Sequence, residues 1–314
     1  MTVAEVLTPL IGAINLDQLR LGSPRRFIFF CGGKIQPAKS RVISLRDYLL
    51  RELTDHNPIA DTTIVCAESA TSLFRDSPYV DLIAFEEDIA QISDVILVIG
   101  ESAGSLTELG AFSMNAAIAP RLKIFVRDDH YNQESFIKLG PLRHLERTIS
   151  EASVSSYPWR VNGEEKLILS SAKPHLNAMR EDLIERIAAI HKTEIYRRDN
   201  SKRQLMILIF WMVYILRAAL LSEIVDVLAK FGIQEKPNEV KKYLYCMRVA
   251  EWVDEKKYGH QVYYFLRVDH DPFEYAFNDD VKIREPIRWK SDIADQIIKQ
   301  KLSRPKAILE LVGK

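Results

Sequence analysis

The chain has 314 residues, enough for two domains, and its 47% hydrophobic and 27% charged content is ordinary for a water-soluble globular protein. No apolar run reaches the about 18 residues of a membrane span, the nearest being Leu205 to Leu216, which Arg217 ends. Three distant cysteines, Cys31, Cys66 and Cys246, argue against a disulfide framework or a thiolate zinc site; with a Met1 to Leu10 stretch unlike a signal peptide, they point to a reducing cytoplasm. The net charge is zero, but residues 1–194 hold 21 Lys+Arg against 26 Asp+Glu, and the remainder holds 22 against 17. This mild −5/+5 asymmetry permits a polyanionic partner for the second half without demanding one.

Val3, Val6, Leu7, Leu10, Ile11 and Ile14 recur at helical spacing, so residues 1–24 are expected to form a helical segment of their own. Arg26 to Phe30 reads as the first strand and Cys31-Gly32-Gly33-Lys34 as the turn that leaves it. That turn is neither a G-x-G-x-x-G fingerprint nor a G-x-x-x-x-G-K-[ST] phosphate loop, so dinucleotide and triphosphate sites are not supported. Its glycines would still give a ligand close access to the backbone. A helix is expected over Ser40 to Leu53, a strand over Thr62 to Cys66, and a helix over Asp81 to Ile92. A buried parallel strand over Asp94 to Ile99 and a fourth strand over Leu122 to Val126 follow. Ser135 to Arg147 reads as a helix broken near Gly140-Pro141, and Thr148 to Val154 as a fifth strand. Alternating strands and helices of this size imply an α/β domain over residues 25–155: a flavodoxin-like doubly wound parallel sheet covered on both faces.

Residues 156–201 read as a helical extension and linker, with Leu176, Met179, Leu183 and Ile187 on one stripe. Three helices follow: Gln204 to Leu216, Glu223 to Phe231 (capped by Ser222 and ended by Gly232), and Pro237 to Ala250. A β-hairpin from Trp252 to Leu266 turns at Tyr258-Gly259-His260. That order is expected of a winged helix-turn-helix domain over residues 202–268, with Lys241, Lys242 and Arg248 of its third helix facing nucleic acid. Such modules serve equally as protein-docking units. Residues 269–314 form a tail with a helix around Ser291 to Lys301.

The stretch that carries chemistry is the strand-to-helix crossing from Ile99 to Phe112. In an open α/β sheet such a crossing lies at the carboxyl edge, where ligands bind. Gly104 and Ser105 allow a tight turn, and a helix is expected from Leu109 to Ile118, capped by Ser105 or Thr107, with Glu108 in its first turn. Gly32, Gly33, Glu86, Asp94, Glu101 and Glu108 at one edge would make an acidic pocket. His130 and His144 lack ligand spacing and no G-x-S-x-G elbow is present, so a metal hydrolase and a serine nucleophile are both disfavoured. Acids alone suit glycosidic chemistry, in which a carboxylate attacks C1′ or stabilises the oxocarbenium-like transition state. Nicotinamide leaves NAD as a neutral molecule and needs no general acid. A nucleoside base needs one, which Asp94 or Glu101 would supply. Both substrates stay open on this ground.

The segment Glu101-Ser102-Ala103-Gly104-Ser105-Leu106-Thr107-Glu108-Leu109-Gly110-Ala111-Phe112 resembles the active-site segment of the nucleoside 2-deoxyribosyltransferase-like effectors of retron anti-phage systems. Phe29 to Gly33, Phe85-Glu86 with Asp94, and Ser135 to Leu145 match that family in the same order. The resemblance implies Glu108 as catalytic nucleophile, with Cys31, Gly32, Gly33, Glu86, Asp94, Glu101, Gly104, Ser105 and Asn115 around the substrate. It implies a toxic effector that hydrolyses NAD to nicotinamide and ADP-ribose, the alternative being a nucleotide N-glycosidase or deoxyribosyltransferase. Its partners would be a reverse transcriptase and its branched DNA–RNA product (msDNA), with no cofactor beyond the substrate, no metal and no membrane, and with room for a homo-oligomer or larger assembly. The competing expectation is a DNA-binding regulator whose first domain senses a nucleotide without turnover.

Overall fold

The computed structural model describes residues 1–36, 41–56, 58–60, 62–67, 77–190, 192–198 and 201–313. In chain order its main elements are α1 (Val3–Ala13), β1 (Arg20–Gly22), β2 (Arg26–Cys31), α2 (Leu45–Arg51), β3 (Thr62–Cys66), α3 (Leu82–Ile92), β4 (Val95–Gly100), α4 (Ala103–Ser113) and β5 (Leu122–Arg127). Then come α5 (Arg143–Thr148), β6 (Val154–Tyr157), β7 (Arg160–Val161), β8 (Leu167–Ile168), α6 (Leu176–Ala189), β9 (Thr193–Ile195), α7 (Lys202–Leu216) and β10 (Ala218–Leu220). The chain closes with α8 (Leu221–Lys230), α9 (Pro237–Val249), β11 (Val253–Tyr258), β12 (Gln261–Leu266), β13 (Phe273–Glu274) and α10 (Pro286–Lys299). These form two compact units, each discontinuous in sequence: Arg26–Thr71 with Ser93–His191, and Met1–Arg25 with Ser72–Ile92 and Lys192–Lys314.

The first unit is an α/β sheet domain. Five parallel strands lie in the order β3-β2-β4-β5-β6, which is 2-1-3-4-5 in chain sense. Its central strands β2 and β4 read as apolar runs because both faces are covered: every residue of β4 is buried, and every residue of β2 after Arg26. One face packs Ile28, Phe30, Leu97, Ile99 and Phe125 against Leu45 and Leu49 of α2 and Leu183 and Ile187 of α6. Each such side chain contributes on the order of 2 kcal/mol relative to exposure. The strand order reverses between β2 and β4, so the crevice at their carboxyl ends is the ligand position that this topology favours.

Several boundaries differ from the sequence expectation. The helix after β4 runs from Ala103 to Ser113, not from Leu109 to Ile118. Its cap is Ser102, whose Oγ accepts the Ser105 amide at 3.1 Å while Ser105 Oγ accepts the Ser102 amide at 3.1 Å. Two serines in a reciprocal box start a helix where small residues had suggested a turn. Glu108 consequently lies in the second turn. Of the helix expected from Ser40, that residue is outside the described residues, and α2 starts at Leu45 on the cap Ser44. Thr148 belongs to α5, and the fifth strand begins at Val154, the residue where it was expected to end. Residues 156–201 hold a small hairpin, β7–β8, and β9 as well as helix.

The second unit is built around α7, which is buried on every side from Arg203 to Val213. A helix apolar all round takes a central place, and α3, α8, α9 and α10 pack on it. The hairpin β11–β12 turns at Gly259-His260, as expected, and adds β10 to make an antiparallel sheet of order β10-β12-β11. The helix expected to be capped by Ser222 instead begins at Leu221, where Glu223 Oε2 accepts the Leu220 amide at 2.8 Å. Residues near both termini share a second sheet, since β1 pairs with both β9 and β13. Arg203 knits this unit: its guanidinium donates to the carbonyl oxygens of Gln91 (3.2 Å) and Ile92 (2.9 Å) and to Ser23 Oγ (2.8 Å), and pairs with Glu194 at 3.1 Å.

Candidate active site at the carboxyl edge of the sheet

The turn after β2 and the turn after β4 meet through Glu101. Its Oε1 accepts the amides of Gly33 (3.0 Å) and Arg46 (2.9 Å), and its Oε2 accepts the amide of Leu45 (2.8 Å). Glu101 thus satisfies two first-turn donors of α2, complementing the Ser44 cap, which takes the Asp47 amide at 2.9 Å. Burial pushes its carboxyl above the usual range, against the three amide bonds and the Arg46 charge. Ser102 adds a second tie across the reversal point, donating from Oγ to the Gly32 carbonyl at 3.3 Å.

Gly32 and Gly33 are there to make room. A Cβ on Gly33 would sit 2.8 Å from Glu101 Oε1, and one on Gly32 would sit 2.7 Å from Arg46 Cδ. Arg46 is almost wholly buried, donates to the carbonyl oxygens of Gly33 (3.3 Å) and Phe30, and lies over the Phe30 ring at 5.4 Å. Sequence reasoning passed over Arg46 and Ser102. The available signal was the pair of glycines, which marks a place where another group comes close to the backbone.

Glu108 stands on α4, partly buried, with its Oε2 withdrawn from solvent. Along the helix, Ser105, Leu109 and Phe112 are buried, while Ala103, Gly104 and Thr107 at the helix start are exposed. Gly104 has open space beside it, with Ser102 Oγ 3.9 Å from where a Cβ would be. Exposed amides at the start of an eleven-residue helix favour an anionic group. The buried Ser105 is engaged in the cap itself, and the buried Cys31 closes β2.

One neighbouring feature of the same edge escaped the sequence reading. In register, β5 lies beside β4 with Val126 opposite Gly100, so Arg127 emerges next to Glu101. Arg127 Nε pairs with Asp129 Oδ1 at 2.5 Å and its second nitrogen meets His130 Nε2 at 3.0 Å. The hydrogen bond from Arg127 holds the Asp129 carboxyl below its usual range. A cavity of about 330 Å³ opens here, lined by Arg127, Asp128, Asp129, Trp159 and Arg160.

Two expected site residues of this unit stand elsewhere, and a third belongs to the other unit. Asp94 precedes β4 and so lies at the amino edge; its Oδ2 accepts the Phe27 amide at 3.1 Å and its own amide donates to the Phe27 carbonyl at 3.0 Å. Asn115 follows α4, which has run back from the carboxyl edge, and its Oδ1 accepts the Ala117 amide at 3.0 Å. Glu86 is on α3, in the second unit. The structure therefore groups Cys31, Gly32, Gly33, Glu101, Gly104, Ser105 and Glu108 about the β2/β4 reversal and leaves Asp94 and Asn115 apart from it. Among the described residues no cluster of His, Cys, Asp and Glu forms a metal-binding arrangement.

The expected nucleic-acid contacts sit on α9, most of which is buried from Tyr243 to Met247. Lys241 is exposed. Lys242 pairs with Glu239 at 2.9 Å, and Arg248 pairs with Glu255 at 2.6 Å and Asp254 at 3.6 Å.

A family model described as STM3845 retron effector protein matches residues 42–255. The chain is similar to an Escherichia coli protein named as a ribosyltransferase/DNA-binding protein of retron Ec73, with 22% identity over 263 residues, 80% of this chain and 82% of that one. It is also similar to the correspondingly named Escherichia coli protein of retron Ec86, with 32% identity over 127 residues, 40% of this chain and 39% of that one. The chain belongs to the STM3845 retron effector family.

Proposed function

We propose that this retron effector is toxic by breaking an N-glycosidic bond, that its substrate is NAD, and that Glu108 is the nucleophile. The observation that carries the choice of NAD is the engagement of the other two acids. Both oxygens of Glu101 are taken up by the amides of Gly33, Leu45 and Arg46, which turns the carboxyl to the backbone, and Asp94 is at the opposite edge of the sheet. A site short of a general acid suits a leaving group that needs no proton, as nicotinamide does. The naming of both relatives for ribosyl transfer supports the same chemistry.

In this reading the exposed amides of Ala103 and Gly104 and the cations Arg127 and Arg160 hold the phosphates. The Glu108 carboxylate attacks C1′ of the nicotinamide riboside; the C1′–N bond breaks and its electron pair leaves with neutral nicotinamide. Water then adds to C1′ of the glycosyl ester, its proton goes to solvent, and ADP-ribose and the Glu108 carboxylate are released. Glu101 acts as a positioning residue that fixes both turns.

The order α7-β10-α8-α9-β11-β12 with its three-stranded sheet supports assigning residues 202–268 as a winged-helix module. With Lys242 and Arg248 paired within the chain, we assign this module to docking on the retron's reverse transcriptase or msDNA, with Lys241 among its exposed cations. That assembly would restrain the effector until infection. Incubating the full chain with NAD, and separately with nucleotides and nucleosides, while following free base by chromatography tests the substrate. The proposal expects nicotinamide; a free purine or pyrimidine would retain the bond type and overturn NAD. Repeating the assay with the co-expressed reverse transcriptase and msDNA tests the restraint, which predicts less nicotinamide from the complex than from the chain alone.

A further inference from the structure

The sheet unit carries a second concave surface that none of the expected site residues lines. It is an open groove of about 820 Å³ bounded by Gly110, Met114, Phe136, Leu139, Arg143 and Arg147. Met114 is 71% exposed, Phe136 85% and Leu139 52%, so three large apolar side chains are left to water in one place. Clustered exposure of this kind marks a binding surface, whereas single exposed apolar residues do not.

The groove holds Phe136 in a particular way. A Cβ on Gly140 would lie 3.4–3.5 Å from three atoms of the Phe136 ring, Cζ, Cε1 and Cε2. The end of the ring stands beside Gly140, which has no side chain to cover it, and most of the ring is open to water. Arg143 and Arg147 are four residues apart on α5, hence on one helix face and about 6 Å apart along its axis. Both are exposed, and among the described residues neither makes an ion pair. Lys138 on the preceding turn contrasts with them: it pairs with Glu146 at 3.4 Å and lies over the Tyr131 ring at 3.3 Å. His144 lines the same groove.

We propose that this groove binds a single-stranded nucleic-acid segment, with a base stacked on the outer face of Phe136 and successive phosphates on Arg143 and Arg147. A flat exposed ring beside unneutralised cations is the combination that recognises unpaired bases on a backbone of negative charge. A duplex presents its bases already stacked on one another, which gives the ring no partner. An acidic peptide would meet the arginines but brings no flat group to cover the exposed ring. Met114 and Leu139 supply apolar flanks for the sugar and the base edge. The site is separate from Glu108, and its test does not depend on glycosidic activity.

The test uses the full-length chain and a fluorescein-labelled 12-nucleotide oligothymidylate, read by fluorescence anisotropy over a range of salt. Phe136→Ala should weaken binding about 5- to 150-fold, the range for loss of one base–aromatic stack. The double variant Arg143→Ser/Arg147→Ser should weaken it and lower the slope of log affinity against log salt by roughly 1.4, about 0.7 per cation lost. All three side chains are exposed, so circular dichroism and melting temperature should match the parent chain. Unlabelled duplex and thymidine monophosphate should compete poorly. Absence of binding by the parent chain, unchanged affinity in both variants, or equal competition by duplex or mononucleotide would overturn the proposal. So would self-association that Phe136→Ala abolishes while oligonucleotide binding persists, which would make the groove an interface between copies of this chain.

Discussion

Glu101 Oε1 and the Gly33 amide lie 3.0 Å apart, and a single added carbon on residue 33 would sit 2.8 Å from that same oxygen. The hydrogen bond and the absence of a side chain are one arrangement: the carboxylate reaches the backbone because nothing stands between them. Gly33→Ala should therefore destabilise the chain by about 1–3 kcal/mol, since Ser44 Cβ at 2.9 Å closes the other direction of relief. In a double-mutant cycle with Glu101→Ala the two losses should sum to less than their separate values, because the clash disappears with the carboxylate. Denaturant titration of the four proteins measures both.

Glu101 also sets a pH signature. Burial raises its folded pKa above the unfolded value of about 4.3, so the stability it contributes is greatest below that pH and is lost as pH rises through the folded pKa. Glutamine at this position does not titrate. The unfolding free energy of the parent chain minus that of Glu101→Gln should accordingly decrease as pH rises from 4 to 8. A difference that increases over this range would show that the three amide bonds outweigh burial.

Asp94 joins the amino ends of β2 and β4. Asp94→Ala removes the acceptor of the Phe27 amide and should cost about 1–3 kcal/mol, whereas Asp94→Asn keeps an acceptor and should cost less. Turnover per folded molecule should survive in both variants. Loss of turnover with unchanged stability would instead make Asp94 part of the chemistry.

Arg203 uses the geometry of its guanidinium fork, with donors directed at Gln91, Ile92, Ser23 and Glu194 at once. Lysine retains the charge but offers one point of contact. Arg203→Lys should lower stability by about 2–4 kcal/mol, readable as a shift of the denaturation midpoint.

How far the sequence spoke follows from which interactions are local. Four of the five strands of the sheet were legible from their apolar residues while the polar β6 was misplaced, and the order of helices and hairpin after Lys202 was legible from helical spacing, Gly232 and the Gly259 turn. The start of α4 was misplaced because Ser102 and Ser105 form a reciprocal cap that looks, residue by residue, like a flexible turn. The placing of Asp94 and Asn115 failed for a reason of direction. Both were placed at the substrate by the family resemblance, but Asp94 precedes its strand and Asn115 follows a helix that has already returned. Long-range ties such as Glu101 to Leu45, or β1 to β13, leave no periodic trace.

The most direct test of the account compares nicotinamide release from NAD by the parent chain and by Glu108→Gln, normalised to folded protein by circular dichroism. Glutamine preserves the size of the side chain and removes the nucleophile, so release should fall by about a thousandfold or more with the melting temperature unchanged. Equal release by the two proteins would contradict the assignment of Glu108, and release by neither, alone or with the reverse transcriptase and msDNA, would contradict the glycosidic reading of the sheet unit.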